Sequence, residues 1–284
     1  MIHIKDLQFA YRSQKKTLFA DLDLDLKSGN IYGLLGRNGA GKTSLLKIMS
    51  GLLFAQSGQI KIMDYEPAYR QPAFLQELFF VPEEFVLPAS SIANFQKQNA
   101  PFYPKFSEAD FVKYLDTFQL EPSAKINTLS LGQKKKTLLS FAMATNCRFL
   151  IFDEPTNGLD IPSKSQFRKL LAGSIDDDQI YLISTHQVRD LSNLMDPIII
   201  LEQGKILFHQ SQQAIAQRLS FELFQQAKEP EGVLHAERVP GGYLAMSENQ
   251  YGEETIVDIE LLFNAVIQAP EHIPALFTQS IPQS

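Results

Sequence analysis

The sequence predicts an α/β protein whose core is a mostly parallel sheet with helices on its faces. Two observations predict it. Short continuous apolar runs at 31–35, 78–81, 149–152, 179–183 and 198–201 read as strands buried on both faces. Between and after them, around 107–119, 130–146, 162–175 and 187–195, apolar residues recur at helical spacing. Strands alternating with helices build parallel sheets through crossover connections.

The elements follow in order. Ile2 and Ile4 alternate with polar neighbours at the start of the chain. Ala20, Leu22, Leu24 and Leu26 then alternate with Asp21, Asp23 and Asp25, the period of two of a half-buried antiparallel strand. Ser28, Gly29 and Asn30 turn the chain into the apolar run at 31–35, and a glycine-rich loop leads to a helix carrying Leu45, Leu46, Ile48 and Met49. Two segments break the alternation. Residues 84–129 insert a helical stretch rich in Pro and Phe between two core strands, and beyond about 225 short strand-like pieces at 233–239 and 255–259 precede an apolar helix at 260–267. No internal repeat or low-complexity tract is present.

Composition narrows the class. At 284 residues, with 44% hydrophobic, 20% charged and 11% aromatic residues, the chain is ordinary globular protein, which excludes collagen-like, coiled-coil and wholly disordered readings. The longest uncharged run is 13 residues, whereas a membrane span needs about 20 apolar ones. The opening MIHIKDLQFAYR lacks the apolar core of a signal peptide. A single cysteine, Cys147, excludes a disulfide framework and a cysteine-built zinc site. We therefore expect a cytoplasmic chain. Residues 221–284 hold 2 basic and 10 acidic side chains, so the rest of the chain is slightly positive although the total is −6. That balance offers no clustered basic face for nucleic acid, and the acidic stretch reads as a solvated surface or a face for a partner.

Chemistry enters with Gly36, Arg37, Asn38, Gly39, Ala40, Gly41, Lys42 and Thr43, which match G-x-x-x-x-G-K-[ST] between a buried strand and a helix. Glycines let backbone N–H groups wrap a phosphate chain, and the helix N-terminus adds the positive end of its dipole. Lys42 would reach the β- and γ-phosphates and the Thr43 hydroxyl would ligate Mg²⁺, with Ser44 beside it in the same site. Residues 149–152 end in Asp153 and Glu154, a Walker B-like strand 111 residues after Lys42. Asp153 would hold Mg²⁺ and Glu154 would be the general base for a water attacking the γ-phosphate. These two motifs alone allow a kinase, a GTPase or any other P-loop enzyme.

The segment Leu129-Ser130-Leu131-Gly132-Gln133 narrows the choice. Ser130 opens a helix as its N-cap, and the segment resembles the LSGGQ signature of ABC ATPases, with Leu131 at the middle glycine. Asn157-Gly158-Leu159-Asp160 resembles that family's D-loop, His186 in Ser-Thr-His-Gln its switch histidine, and Tyr11 the aromatic that stacks on adenine. The resemblance covers residues 1 to about 220 and is specific. It implies a P-loop core with a mixed sheet, an antiparallel β-subdomain and a helical subdomain at about 84–146. Residues 223–284 are then a small acidic accessory region.

The resemblance also implies a mechanism. Two such domains close head to tail around two ATP molecules, with Ser130, Gly132 and Gln133 contacting the partner's nucleotide. Glu154 polarises the water, His186 holds the γ-phosphate, and Asp160 links the two sites. Where the family's Q-loop has glutamine, this chain has Glu83 followed by Glu84, and a carboxylate there would favour metal. Within the family, the insert and the lysine run 134–136 resemble ATPase subunits of bacterial multidrug and antimicrobial-peptide exporters, including the bacitracin- and acetoin-associated groups. The expected partners are a membrane permease in another chain and a second ATPase subunit, with no nucleic acid, on the cytoplasmic face of the membrane. Apolar residues at 85–88 and 100–104 would either receive the permease or pack the subdomain's own core. The lysine run reads as a solvated helix face. The alternative function is a soluble ABC-type ATPase acting in translation or DNA metabolism; a third is a nucleotide sensor without hydrolysis.

Overall fold

The apolar runs assemble as three sheets in a computed structural model, which describes residues 1–12, 17–226, 228, 230–249, 252 and 255–277. The first sheet is antiparallel, in the order β2-β1-β4, from β1 (Ile2–Phe9), β2 (Phe19–Leu26) and β4 (Ser57–Ile62). The second has six strands, ordered β5-β6-β7-β3-β8-β9. In it β3 (Asn30–Leu35), β5 (Leu78–Val81), β6 (Phe149–Asp153), β7 (Ile180–Thr185) and β8 (Ile198–Glu202) run parallel, and β9 (Lys205–Gln210) closes the edge antiparallel. A third, antiparallel sheet takes the order β10-β12-β11 from β10 (Leu219–Phe224), β11 (His235–Val239) and β12 (Gly242–Glu248).

The central strands are apolar throughout because successive side chains enter different cores. Phe149 and Ile151 pack with Leu45, Leu46 and the first sheet, whereas Leu150 and Phe152 pack with the helices of the opposite face. The first face holds α1 (Lys42–Met49), with α2 (Pro72–Gln76) beside β5. The inserted region supplies α3 (Ile92–Asn99), α4 (Glu108–Thr117) and α5 (Leu131–Ala144). These converge on Phe141, whose ring lies 5.0–6.0 Å from Phe79, Phe95, Tyr103, Phe106 and Phe111. The Phe-rich insert therefore fills a core of its own, while Val86 and Phe102 stay exposed. Helix α6 (Ile161–Ala172) packs on the sheet through Phe167 and Leu171. The chain then continues through α7 (Gln212–Arg218) into the third sheet, α8 (Ile259–Gln268) and α9 (His272–Ala275). Leu219, Met246, Leu262 and Val266 join the same apolar cluster as Leu35 and Ile183.

Several sequence expectations are corrected. Ala20 is exposed and Phe19 takes its place in the core, because Asp21 adopts φ 58° and the β1–β2 register shifts there. The helix expected at 187–195 is a single 3₁₀ turn, Val188–Asp190. Arg168 donates to the Asp190 carbonyl that a helix would have used (2.9 Å), and Pro197 disfavours helical backbone at Asp196. The strand expected at 255–259 is irregular up to Asp258, which caps α8 by accepting from the Leu261 amide at 2.8 Å. In its place β12 is the central strand, a segment whose glycines and weak alternation concealed it.

Candidate active site

Four loops leave the C-terminal ends of β3, β5, β6 and β7 on one edge of the sheet, where open α/β sheets hold ligands. Register sets their level: Leu34 lies opposite Ser184, and Ser184 opposite Asp153. The loop after β3 ends at Gly41, whose φ of 115° strains any other residue and where a Cβ would stand 2.8 Å from the Phe19 ring. Gly41 starts α1 with no side-chain cap and no acid in the first turn, so the helix's first N–H groups are unspent and face an anion with their dipole.

Lys42 is buried, and its ammonium folds back on the loop, donating to the carbonyls of Gly36 (2.7 Å) and Arg37 (3.3 Å). Burial pulls its pKa below the usual lysine value, opposed chiefly by Glu154 4.0 Å away and by Asp153. Thr43 Oγ1 donates to Asp153 Oδ2 at 2.7 Å, and Ser184 Oγ donates to Oδ1 at 2.5 Å. A hydroxyl and a carboxylate this close are the hard oxygen donors that a small divalent cation takes, and Glu83 lines the same cleft.

Glu154 is the strained residue of the site. It holds φ 47°, outside the usual region for a residue with a side chain, and its amide donates to Ser184 O at 3.1 Å. Its Oε1 meets His186 Nδ1 at 2.7 Å, while its Oε2 is buried with no partner among the described residues. A carboxylate oxygen left that way is costly to folding, so it marks a position kept for something other than stability.

Tyr11, Arg37, Asn38, Gly39, Gly41, Lys42, Thr43, Ser44, Glu83, Asp153 and Glu154 therefore line one cleft of about 340 Å³. Gly36 and Ala40 lie within the loop itself, Ala40 accepting from Gly204 N at 3.1 Å. Tyr11 is pinned by its hydroxyl, 2.8 Å from Ser44 Oγ, and by an edge contact with Phe9. The structure does not bring the signature residues there. Ser130 and Gln133 close the start of α5 as a capping box, Gly132 abuts the carbonyl of Gly158, and Asp160 caps α6, none of them lining the cleft. The Asp160 carboxyl is held below the usual range by its hydrogen bond from Ser163.

The lysine run is not a solvated face throughout. Lys135 is 2% exposed, donates to the carbonyls of Pro82 (3.3 Å) and Glu83 (3.2 Å), and lies over the Phe85 ring. Spacing concealed this, because the groups it satisfies come from a loop more than 50 residues earlier in the chain. Motif reading also missed Leu18, which lines the cleft, and gave no role to Ser184, Asn157 or Gln187 beyond their membership of the Ser-Thr-His-Gln and Asn-Gly-Leu-Asp segments. Only Ser184 carried a signal: a hydroxyl two residues before His186 at the end of a buried strand.

Comparison with known proteins agrees with this geometry. The family model described as ABC transporter matches residues 19–157. A bacitracin transport ATP-binding protein, BcrA of Bacillus licheniformis, is 31% identical over 219 residues, 73% of this chain and 68% of the relative. The cobalt import ATP-binding protein CbiO of Salmonella typhi is 30% identical over 74% of this chain and 80% of its own. The lantibiotic transport ATP-binding protein SrtF of Streptococcus pyogenes is 28% identical over 73% and 89%. Among solved structures, an ATP-binding subunit of an ABC transporter superposes with TM-score 0.67 and 25% identity, over 76% of this chain and 92% of that one. A dimeric ATP-binding cassette bound to ADP and Pi shares the fold at TM-score 0.65 and 20% identity, over 74% and 98%. A P-loop helix start, a Walker B carboxylate pair and a histidine meeting on one sheet edge are thus joined to a specific ancestry: the chain belongs to the ABC transporter ATP-binding family and is an ATPase subunit.

Proposed function

We propose that this subunit binds ATP with Mg²⁺, pairs with a second ATPase subunit around two nucleotides, and powers a separate membrane permease of the exporter type. The observation that carries the reading is the meeting of Lys42, Thr43, Asp153 and Glu154 at one cleft, with His186 held against Glu154. Lys42 would exchange the Gly36 and Arg37 carbonyls for β- and γ-phosphate oxygens. The unspent amides at the start of α1 would take the remaining phosphate oxygens, and Tyr11 would stack on the adenine. Thr43 and Asp153, with Glu83 on the same wall, would hold Mg²⁺, which supplies neutralising charge to the phosphates.

Glu154 Oε2 has no partner among the described residues, so it is the atom placed to accept a proton from the attacking water, while His186 orients the carboxylate through Oε1. The water oxygen bonds to the γ-phosphorus as the bond to the β–γ bridging oxygen breaks, and ADP leaves with that electron pair. Ser130, Gly132, Gln133 and Asp160 sit away from this chain's own cleft, which supports their acting on the nucleotide of a second subunit. Among the described residues no helix is long and apolar enough to cross a membrane. A separate permease, with this subunit on its cytoplasmic face, accounts for transport under that condition. We assign residues 1–222 to the ATPase unit and 223–284 to an accessory region.

The test is affinity purification of Glu154→Gln from gently solubilised native membranes, with and without Mg-ATP. We expect turnover to fall about a thousandfold with ATP binding kept, and a dimer to travel with a polytopic membrane protein. Recovery with only ribosomes or DNA-bound proteins would overturn the transport reading, and unchanged turnover would remove Glu154 as the base. The bacitracin and lantibiotic transport relatives carry antimicrobial peptides, the cargo class of the exporter reading, whereas another relative is a cobalt import protein. ATP-driven accumulation in inside-out vesicles is the result expected.

A further inference from the structure

The loops around the cleft are tied together by side chains to which the motifs give no such role. Lys164 Nζ, on α6, donates to Gln187 Oε1 at 3.3 Å. Gln187 Nε2 donates to Asn157 Oδ1 at 3.1 Å, and Asn157 Nδ2 donates to Glu83 Oε1 at 2.9 Å. The chain thus runs from α6 through the loops after β7, β6 and β5. Its two ends differ chemically. A lysine ammonium only donates and an ionised carboxylate only accepts, so the two amides between them are held in one orientation. Lys164 is anchored independently by Asp190 at 2.6 Å.

Each member sits beside a group assigned to the reaction. Gln187 follows His186, Asn157 lies in the loop that begins at Glu154 and ends at Asp160, and Glu83 is on the cleft wall. We infer that Asn157 and Gln187 are positioning residues for ATP hydrolysis, holding the Glu83, Glu154 and His186 loops in one register through a one-way chain of hydrogen bonds. The carboxylate at 83 is the end that sets its direction. Glu83 and Gln187 are exposed and Asn157 half-buried, so water competes for these bonds and they contribute little to folding. Their effect belongs to the rate, where a small misplacement of a reacting group is costly.

This inference rests on the hydrolytic roles given above to Glu154 and His186, and its test separates the two. Asn157→Asp keeps the shape and still accepts from Gln187, but it can no longer donate to Glu83 and sets two carboxylates face to face. In the full-length chain we expect kcat to fall about tenfold or more, with the KM for ATP within about threefold of wild type. In a Glu83→Gln background the new amide can donate to the carboxylate introduced at position 157, and there the same Asn157→Asp substitution should cost less than about threefold. Asn157→Ala, which removes both bonds, should not be relieved by Glu83→Gln. Equal cost of Asn157→Asp in both backgrounds, or an effect confined to KM, would overturn the relay. Should Asn157→Asp not fold, Gln187→Glu gives the same cycle: it keeps Lys164 but cannot donate to Asn157, and Glu83→Gln lets the chain reverse direction. Loss of turnover in Glu154→Gln without coupling between 83 and 157 would leave the base intact and discard the relay alone.

Discussion

Helices α1 and α5 both carry a glycine at their start, Gly41 just before α1 and Gly132 in the first turn of α5, yet their first turns are finished in opposite ways. At α1 the N-terminal residue is Gly41, no side chain caps the helix, and Lys42 bends back over the loop. At α5 Ser130 accepts from the Gln133 amide (3.2 Å) and the Gln133 side chain accepts from the Ser130 amide (3.0 Å). The first helix start keeps its backbone donors for an anion; the second has committed two of them to itself. A phosphate at α1 would therefore be held by backbone and ammonium together. At α5 it would be approached by the remaining amides and the Ser130 hydroxyl.

The largest effect that sharpens this contrast is at Lys42. Lys42→Ala should weaken ATP binding about a hundredfold, the scale of charge-assisted hydrogen bonds to phosphate, as read by titration calorimetry. Undiminished affinity would mean that the α1 amides suffice alone. Next is Ser130→Asp, which preserves the cap, since Asp and Ser cap equally well, but places a negative charge where a phosphate is proposed. Stability should stay within about 0.5 kcal/mol while hydrolysis falls about tenfold. Wild-type turnover would reduce Ser130 to a cap and break the comparison from the other side.

The smallest effect concerns the seat of α5. A Cβ at Gly132 would stand 2.9 Å from the Gly158 carbonyl, so Gly132→Ala should cost about 1–2 kcal/mol. Cys147, just beyond the end of α5, reports on it. Burial pushes its thiol up to about 12, so at pH 8 the native thiol is protonated and resists alkylation, whereas the unfolded thiol titrates near the ordinary value. The folded state holds that proton longer, so this group's contribution to stability declines as pH rises above the ordinary thiol value. Iodoacetamide labelling at pH 8 should be slow in the wild type and several-fold faster in Gly132→Ala. Equal rates would show that the helix start tolerates the methyl group.

The parts of the molecule that the sequence made legible share a cause. Runs such as 149–152 and 31–35 are apolar at every position because both faces of the strand are covered, and the phosphate loop announces itself because its glycines and Lys42 act within eight consecutive residues. Segment 187–195 misled because its buried Val188, Leu191 and Met195 mimic helical spacing, while the deciding bond, from Arg168 to the Asp190 carbonyl, comes from another helix. Lys135 misled for the same reason, its partners being the carbonyls of residues 82 and 83.

Sequence alone therefore determined the fold class, the order of the strands' apolar runs, and the residues proposed to bind phosphate, because each depends on composition or on spacing within a few turns of chain. Tertiary structure alone decided that Asp153 is gripped by Thr43 and Ser184, that one oxygen of Glu154 is left without a partner among the described residues, and that Lys164, Gln187, Asn157 and Glu83 form a chain. Those contacts join residues as much as 110 positions apart. Their geometry is set by strand order and register, which no local pattern encodes.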